Sequence, residues 1–208
     1  MKVKICGLTN EKDAMLAYKY GANFIGVVVS SESKRRVSLE QAKKILNVKN
    51  PFVSSVVVTS TTKTQDIEDI INIVEPNFIQ LHGDIHPELL RDIEFSGKFI
   101  KTIPMYEGVD YGQYFKYYDD MVTAYLLDTR KGMQLGGTGT THNWDLSARI
   151  VKESKKQVFL AGGLTPGNVY EAIKIVNPYC VDVASGVEES PGKKSEDKIK
   201  RFIEATRL

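Results

Sequence analysis

Residues 52–59 read FVSSVVVT and residues 26–29 read GVVV, and the near-continuous apolar character of both stretches decides the fold class. A strand with one wet face alternates apolar and polar residues, whereas a strand covered on both faces does not. These runs therefore point to a parallel sheet with helices outside it. Short β-branched runs of the same kind recur at Val3–Cys6, Phe24–Val29, Phe78–Leu81, Phe99–Pro104, Ala124–Asp128, Val158–Ala161 and Val181–Ser185. With Phe52–Thr59 they make eight strands. Between them, amphipathic stretches open near Asn10, Ser38, Thr64, His86, Val109, Trp144, Thr165 and Ser195, most with a Ser, Thr, Asn or Asp at the N-cap position. The stretch through Tyr111 to Tyr118 has the weakest helical pattern.

Eight βα units predict an α/β chain folded as a single (β/α)8 TIM barrel with eight parallel strands. The competing doubly wound open sheet usually has fewer strands. Its first βα turn often carries a glycine-rich fingerprint, which KICGLTNEKD lacks. At 208 residues with no linker or low-complexity stretch, the chain suits one catalytic domain over residues 1–208. A formal charge of +2, with basic residues scattered among acids, argues against nucleic acid and for a small-molecule partner. No apolar run is long enough to cross a bilayer, and charged residues interrupt the N-terminus at once, so a cytoplasmic protein without membrane contact is expected. The two cysteines, Cys6 and Cys180, lie at opposite ends of neighbouring strands in a closed barrel, too far apart for a disulfide.

A barrel places its chemistry at the carboxyl ends of its strands. Those ends are Cys6, the Ser33–Arg36 cluster, Gln80 and His82, Asp128, Gly162 and Gly163, and Ser185 and Gly186. In LAGGLTPGNV a strand runs through two glycines into a helix opening at Thr165 or Pro166, and VDVASGVEESPG ends the last strand in a similar turn. Glycines let backbone N–H groups approach an anion closely, and helix N-termini favour negative charge. Paired on adjacent strands, the two segments read as a phosphate cradle; either alone reads as a simple turn. GGTG at Gly136–Gly139 has the same composition and suits a lid.

Asp128 closes the strand AYLLDT beside apolar residues, where a partly desolvated carboxyl acts as an acid near neutral pH. Its structural alternative is a helix cap or a salt bridge to Arg130. Cys6 adds a second ionisable group on the same rim, with a buried core cysteine as its alternative. An acid and a base across a bound ligand suit a proton-transfer isomerisation. Lowering the thiol pKa falls to backbone dipoles, Arg35 or Arg36, since Lys4 is expected to point away along the strand. His82 and His86 have helical metal-ligand spacing, but Gly83 and Pro87 interrupt a helix there, His142 sits in a glycine-rich loop, and no carboxylates join them, so no metal is expected. Arg35 and Arg36 read alone as solvated loop charges, and on this rim as candidates for a bidentate pair with a substrate carboxylate.

In order and spacing, KICGLTN (Lys4–Asn10), SKRRVS (Ser33–Ser38), IQLHGD (Ile79–Asp84), LLDT with GGTG, LAGGLTPGNV and VDVASGVEESPGKK make the chain resemble the phosphoribosylanthranilate isomerases of tryptophan biosynthesis along essentially its full length. The resemblance implies a cofactor-independent Amadori rearrangement of N-(5-phosphoribosyl)anthranilate on a barrel, in a monomer or homodimer. It assigns Asp128 as the general acid that opens the furanose ring and Cys6 as the general base that removes the C2 proton. It gives the phosphate to backbone groups around Gly162, Gly163, Ser185 and Gly186. Asn168 and Asp182 are nearby positions orienting the phosphate or the sugar hydroxyls, Arg35 meets the anthranilate carboxylate, and Gln80 and His82 join the substrate-binding set. The chain departs from the family pattern at Lys34, Arg36, His142, Asn143 and Ser195. A histidine-pathway aminoaldose isomerase, which typically pairs two aspartates, is disfavoured by Cys6. A metal-dependent epimerase lacks the rim histidines and acids it needs. A non-catalytic phosphometabolite-binding barrel is disfavoured by retention of both proton-transfer candidates.

Overall fold

Eight parallel strands close on themselves in sequence order: β1 Lys2–Ile5, β2 Phe24–Val28, β3 Ser54–Thr59, β4 Phe78–Leu81, β5 Lys98–Met105, β6 Ala124–Thr129, β7 Gln157–Leu160 and β8 Cys180–Val183. The structure is a computed structural model that describes residues 1–29, 33–47, 52–129 and 143–207. The seam closes where β8 pairs with β1, Cys180 against Lys2 and Asp182 against Lys4. Around the barrel lie α1 Glu11–Tyr20, α2 Leu39–Leu46, α3 Thr64–Val74, α4 Tyr111–Tyr118, α5 Trp144–Glu153, α6 Val169–Val176 and α7 Glu196–Ala205. No helix among the described residues is long and apolar enough to cross a membrane.

Strand alternation divides the apolar residues into two sets. Phe24, Val56, Ile100, Ala124, Leu126, Phe159, Ala161 and Cys180 fill the barrel interior with Phe78, and Phe24 meets Phe78 and Phe159 edge to face at 5.7 and 5.2 Å. The alternate residues, among them Ile5, Ile25, Val57, Ile79, Leu127 and Val181, pack outward against the helices. Both strand faces are thus covered, which is why these strands read as unbroken apolar runs. Local caps fix where the helices start: the side chains of Asn10, Ser38, Asn143 and Ser195 accept hydrogen bonds from first-turn N–H groups. Gly21, at φ 101°, ends α1 in the left-handed conformation.

Several segments differ from the sequence expectation: β3 begins at Ser54 and leaves Phe52 exposed, and β8 ends at Val183, short of Ser185. The helix expected near His86 is a single 3-10 turn, Pro87–Leu90. The apolar residues that pack on the core around it, Ile85, Leu90, Ile93 and Phe95, are spaced irregularly and do not line one helical face. After β8, a short antiparallel hairpin pairs β9 Glu188–Ser190 with β10 Lys193–Lys194; nothing in the local residue pattern singles it out. Both cysteines are free thiols. Cys180 pairs with Lys2, four residues below Cys6 along the strand direction, roughly 13 Å at the usual rise.

One cation is buried on the outside of the barrel. Lys101 of β5 donates to the Gly83 carbonyl at 2.7 Å and lies 5.2 and 5.5 Å from the rings of Tyr118 and Tyr114. It thereby ties the loop that follows β4 to the barrel wall. Burial, only partly offset by Asp84, pushes its pKa down to about 8. Between pH 8 and 10.5 the unfolded chain holds this proton more tightly than the folded one, so the contribution of Lys101 to stability rises with pH across that window. The unfolding free energy of wild type relative to Lys101→Met should therefore grow by up to ~3 kcal/mol between those limits in urea titrations; a pH-independent difference would show that the ammonium is not desolvated.

Candidate active site

The strand ends bring most of the expected residues to one mouth of the barrel. Alternation points Lys4 and Cys6 of the β1 segment, Gln80 of β4, Asp128 of β6 and Asp182 of β8 inward. Cys6 continues the β1–β8 pairing beyond the strand by donating its backbone N–H to the Val183 carbonyl at 2.9 Å, and its side chain is buried. Asp128 stands three strands away around the closed barrel, half-buried above the interior residues Ala124 and Leu126. An acid and a thiol therefore face the same enclosed mouth from separate strands.

Lys4 does not point away along its strand. It is fully buried inside the barrel, with Nζ 3.0 Å from Asp182 Oδ1, and its ammonium converges with Cys6 Sγ over Gly26. The alternation of β1 carried this signal, because Lys4 and Cys6 are two residues apart and share a face. Burial pushes the Cys6 thiol pKa up, and Asp182 adds to that, while Lys4 and then Lys194 pull it down. In the free protein the upward effect wins.

The end of β6 and the loops after β7 and β8 meet at close backbone approach. Gly162 and Gly163 both take positive φ, 82° and 69°, and a Cβ on Gly162 would run into Thr129 at the end of β6. A Cβ on Gly186 would fall on the Leu164 carbonyl, so the turn Ser185–Val187 lies directly against the β7 loop. The two glycine segments thus form one surface. The helix after β7 starts at Val169 and not at Thr165 or Pro166, because Asn168 holds the intervening residues in a turn. Its Oδ1 accepts from the Thr165 N–H at 2.7 Å and its Nδ2 donates to the Gly163 carbonyl at 3.0 Å. Asn168 therefore shapes the loop. Asp182, expected with it to orient the phosphate or the sugar hydroxyls, sits in the barrel interior against Lys4.

Arg35 is not a solvated charge. Its Nε and Nη2 donate to the two Glu188 carboxylate oxygens at 2.7 and 2.6 Å, and its stem crosses Gly7, whose φ of 72° and missing side chain leave room for it. Glu188 also accepts from Lys194 Nζ at 2.9 Å. Burial opposes the Glu188 charge, but Arg35 and Lys194 together hold its carboxyl below the usual range. The pair leaves the Nη1 edge of Arg35 uncommitted to Glu188, whereas Arg36 is exposed. Glu188 and Lys194 lie inside a recognised motif, but nothing local reveals that they bridge the second and eighth strand loops.

Gln80 is buried, with Nε2 3.3 Å from Thr102 Oγ1, and its Oε1 accepts no hydrogen bond among the described residues. His82 follows β4, anchored by its N–H to the Thr59 carbonyl at 2.8 Å. The residue is exposed, yet desolvation by the surrounding protein, then the charge of Lys101, pushes its pKa down, which keeps the imidazole neutral near pH 7. Arg130, the GGTG segment at Gly136–Gly139 and His142 lie outside the described residues.

Comparison with known proteins agrees with this fold. The family model described as N-(5'phosphoribosyl)anthranilate (PRA) isomerase matches residues 3–205. The N-(5'-phosphoribosyl)anthranilate isomerase of Methanocella arvoryzae is 38% identical over 211 residues, covering 100% of this chain and 98% of its own. The crystal structure of phosphoribosyl anthranilate isomerase from Thermotoga maritima superposes with a TM-score of 0.89 at 38% identity, covering 100% of both chains. A crystal structure of phosphoribosyl anthranilate isomerase in complex with reduced 1-(o-carboxyphenylamino)-1-deoxyribulose 5-phosphate gives a TM-score of 0.85 at 36% identity, again over 100% of both chains.

The glycine surface yields a direct expectation. Gly186→Ala should force the β7 and β8 loops apart, at a cost of roughly 1–3 kcal/mol in stability, and weaken calorimetric binding of a phosphorylated ligand. Gly167→Ala, whose Cβ would meet only Thr165 Oγ1 at 3.8 Å, should leave that binding unchanged. Equal binding by both variants would show that the close approach at Gly186 is irrelevant to the anion.

Proposed function

The chain belongs to the N-(5'-phosphoribosyl)anthranilate isomerase family, an isomerase of tryptophan biosynthesis on a TIM barrel, and from that premise we propose that Asp128 and Cys6 carry out its proton transfers. The observation that supports this most is their placement: two ionisable groups turned inward on separate strands, at the barrel mouth where the two glycine loops pack together.

In this reading the phosphate of N-(5-phosphoribosyl)anthranilate rests on the backbone of Gly162, Gly163, Ser185 and Gly186, where glycines allow close approach of N–H groups. The anthranilate carboxylate meets the Nη1 edge of Arg35, whose orientation is set by Glu188. Asp128 donates its proton to the furanose ring oxygen. The C1–O bond breaks, the nitrogen lone pair forms the C=N bond, and a protonated Schiff base results. Cys6, as thiolate, takes the C2 proton, and the C2–H electron pair forms the C1=C2 bond while the C=N electrons return to nitrogen. The enolamine then takes a proton at C1 and loses one from the C2 hydroxyl, giving 1-(2-carboxyphenylamino)-1-deoxyribulose 5-phosphate. Every step is a proton transfer with internal electron movement.

The remaining polar groups have supporting roles. Gln80, with its unused Oε1, suits a sugar hydroxyl as donor to it, and neutral His82 offers a hydrogen bond without adding charge near the acid. Asn168 keeps the phosphate loop in shape, and Asp182 acts through Lys4.

General acid and general base catalysis each contribute about 10²–10⁴ in rate. Cys6→Ser and Asp128→Asn, prepared separately and shown by circular dichroism to be folded, should each lower kcat for N-(5-phosphoribosyl)anthranilate by a factor in that range. Near-normal turnover in either variant would remove that residue from the mechanism.

A further inference from the structure

The space around the Cys6 sulfur is shared with one other side chain. Cys6 Sγ and the Lys4 ammonium converge over Gly26 of β2: a Cβ there would stand 3.1 Å from Cys6 Sγ, 3.3 Å from Lys4 Cε and 3.4 Å from Lys4 Nζ. Lys4 is fully buried, pinned from β8 by Asp182 at 3.0 Å, its register partner across the barrel seam. We propose that Lys4 is a positioning residue for the base: its ammonium, fixed by Asp182 and lying against the sulfur, favours the thiolate of Cys6 over the thiol. This rests on the reading of Cys6 as the base.

The physical need is plain. A buried sulfur surrounded by apolar strands resists ionisation, and a protonated thiol cannot accept the C2 proton. The charged groups that face Cys6 are Lys4 on its own strand, Asp182 on β8, Lys194 on β10 and Arg35 on the loop after β2. Of the cations, Lys4 has the strongest hold on the thiolate, because its ammonium shares the space over Gly26 with the sulfur. Burial works against the ammonium itself, yet Asp182 and Cys6 together keep the Lys4 pKa above the ordinary lysine value. Lys4 therefore keeps its positive charge well above neutral pH. Asp182 has two opposing effects: it holds Lys4 in place and, by its own negative charge, disfavours the thiolate.

That opposition separates an electrostatic role from a merely structural one. Lys4→Met and Asp182→Asn break the same ion pair, so a structural role moves both variants in the same direction. The proposal requires opposite directions. The measurement is the pH dependence of Cys6 alkylation by iodoacetamide in the full-length, ligand-free protein. The rate is read on the Cys6 peptide by mass spectrometry so that buried Cys180 does not contribute. Relative to wild type, the alkylation midpoint should rise by about one pH unit or more in Lys4→Met, a roughly tenfold smaller thiolate fraction at a given pH. It should fall in Asp182→Asn. If Lys4→Met does not fold, the double variant Lys4→Met/Asp182→Asn replaces it and must titrate above Asp182→Asn alone. Shifts of the same sign, or none, would overturn the proposal. The pH profile of kcat/KM should move with the alkylation midpoint. Opposite alkylation shifts with an unmoved kinetic profile would leave Lys4 controlling the thiol while removing Cys6 as the base, so the two readings fail separately.

Discussion

The rest of the structure depends on the ion pair between Lys4 and Asp182, buried where the last strand closes on the first. A buried pair is costly to assemble, and removing one partner typically costs about 3–5 kcal/mol because the other charge is left uncompensated. Its value lies in what it fixes. The register of β8 on β1 brings Asp182 level with Lys4, the missing side chain of Gly26 on β2 opens the space above them, and Cys6 occupies that space one inward position higher. Barrel closure and the charge at the proposed base are thus set by the same contact.

The mouth divides into two halves with different physics. Around β1, β2 and β8 it is built from charged side chains: Lys4 with Asp182, and Arg35 with Glu188 and Lys194. These bridge the loops over Cys6 and give that side of the site fixed positive groups. Around β6, β7 and β8 it is built from backbone, with Gly162 and Gly186 letting the end of β6 and the loops after β7 and β8 touch and Asn168 holding the β7 loop in its turn. A ligand with a carboxylate at one end and a phosphate at the other matches this division: an arginine fork suits the planar anion, and a concave backbone suits the phosphate.

The strands and the rim were legible in the sequence because parallel strands covered on both faces give long apolar runs and because the turns that follow them are rich in polar and glycine residues. FVSSVVVT and AYLLDT are such runs, and their ends are where the structure places them. The expectation for Lys4 was wrong, although period-2 alternation puts it on the same face as Cys6; a lysine is a poor candidate for a barrel interior until Asp182 is known to face it. Long-range partnerships of that kind, including Arg35 with Glu188 across 153 positions, have no local signature. The helix expected near His86 failed for a different reason, since the irregular spacing of Ile85, Leu90, Ile93 and Phe95 suits a chain that hugs the barrel without helical repeat.

If the proposed roles hold, one extended ligand spans both halves with its C2 carbon at Cys6. A crystal structure of this chain with reduced 1-(o-carboxyphenylamino)-1-deoxyribulose 5-phosphate would show it. The expected complex has the phosphate on the backbone of Gly162, Gly163, Ser185 and Gly186, the carboxylate at Arg35, C2 in contact with Cys6 Sγ, and Lys4 Nζ still beneath the sulfur. A ligand bound with its phosphate at the charged half, or with C2 turned away from Cys6 toward Asp128, would contradict it.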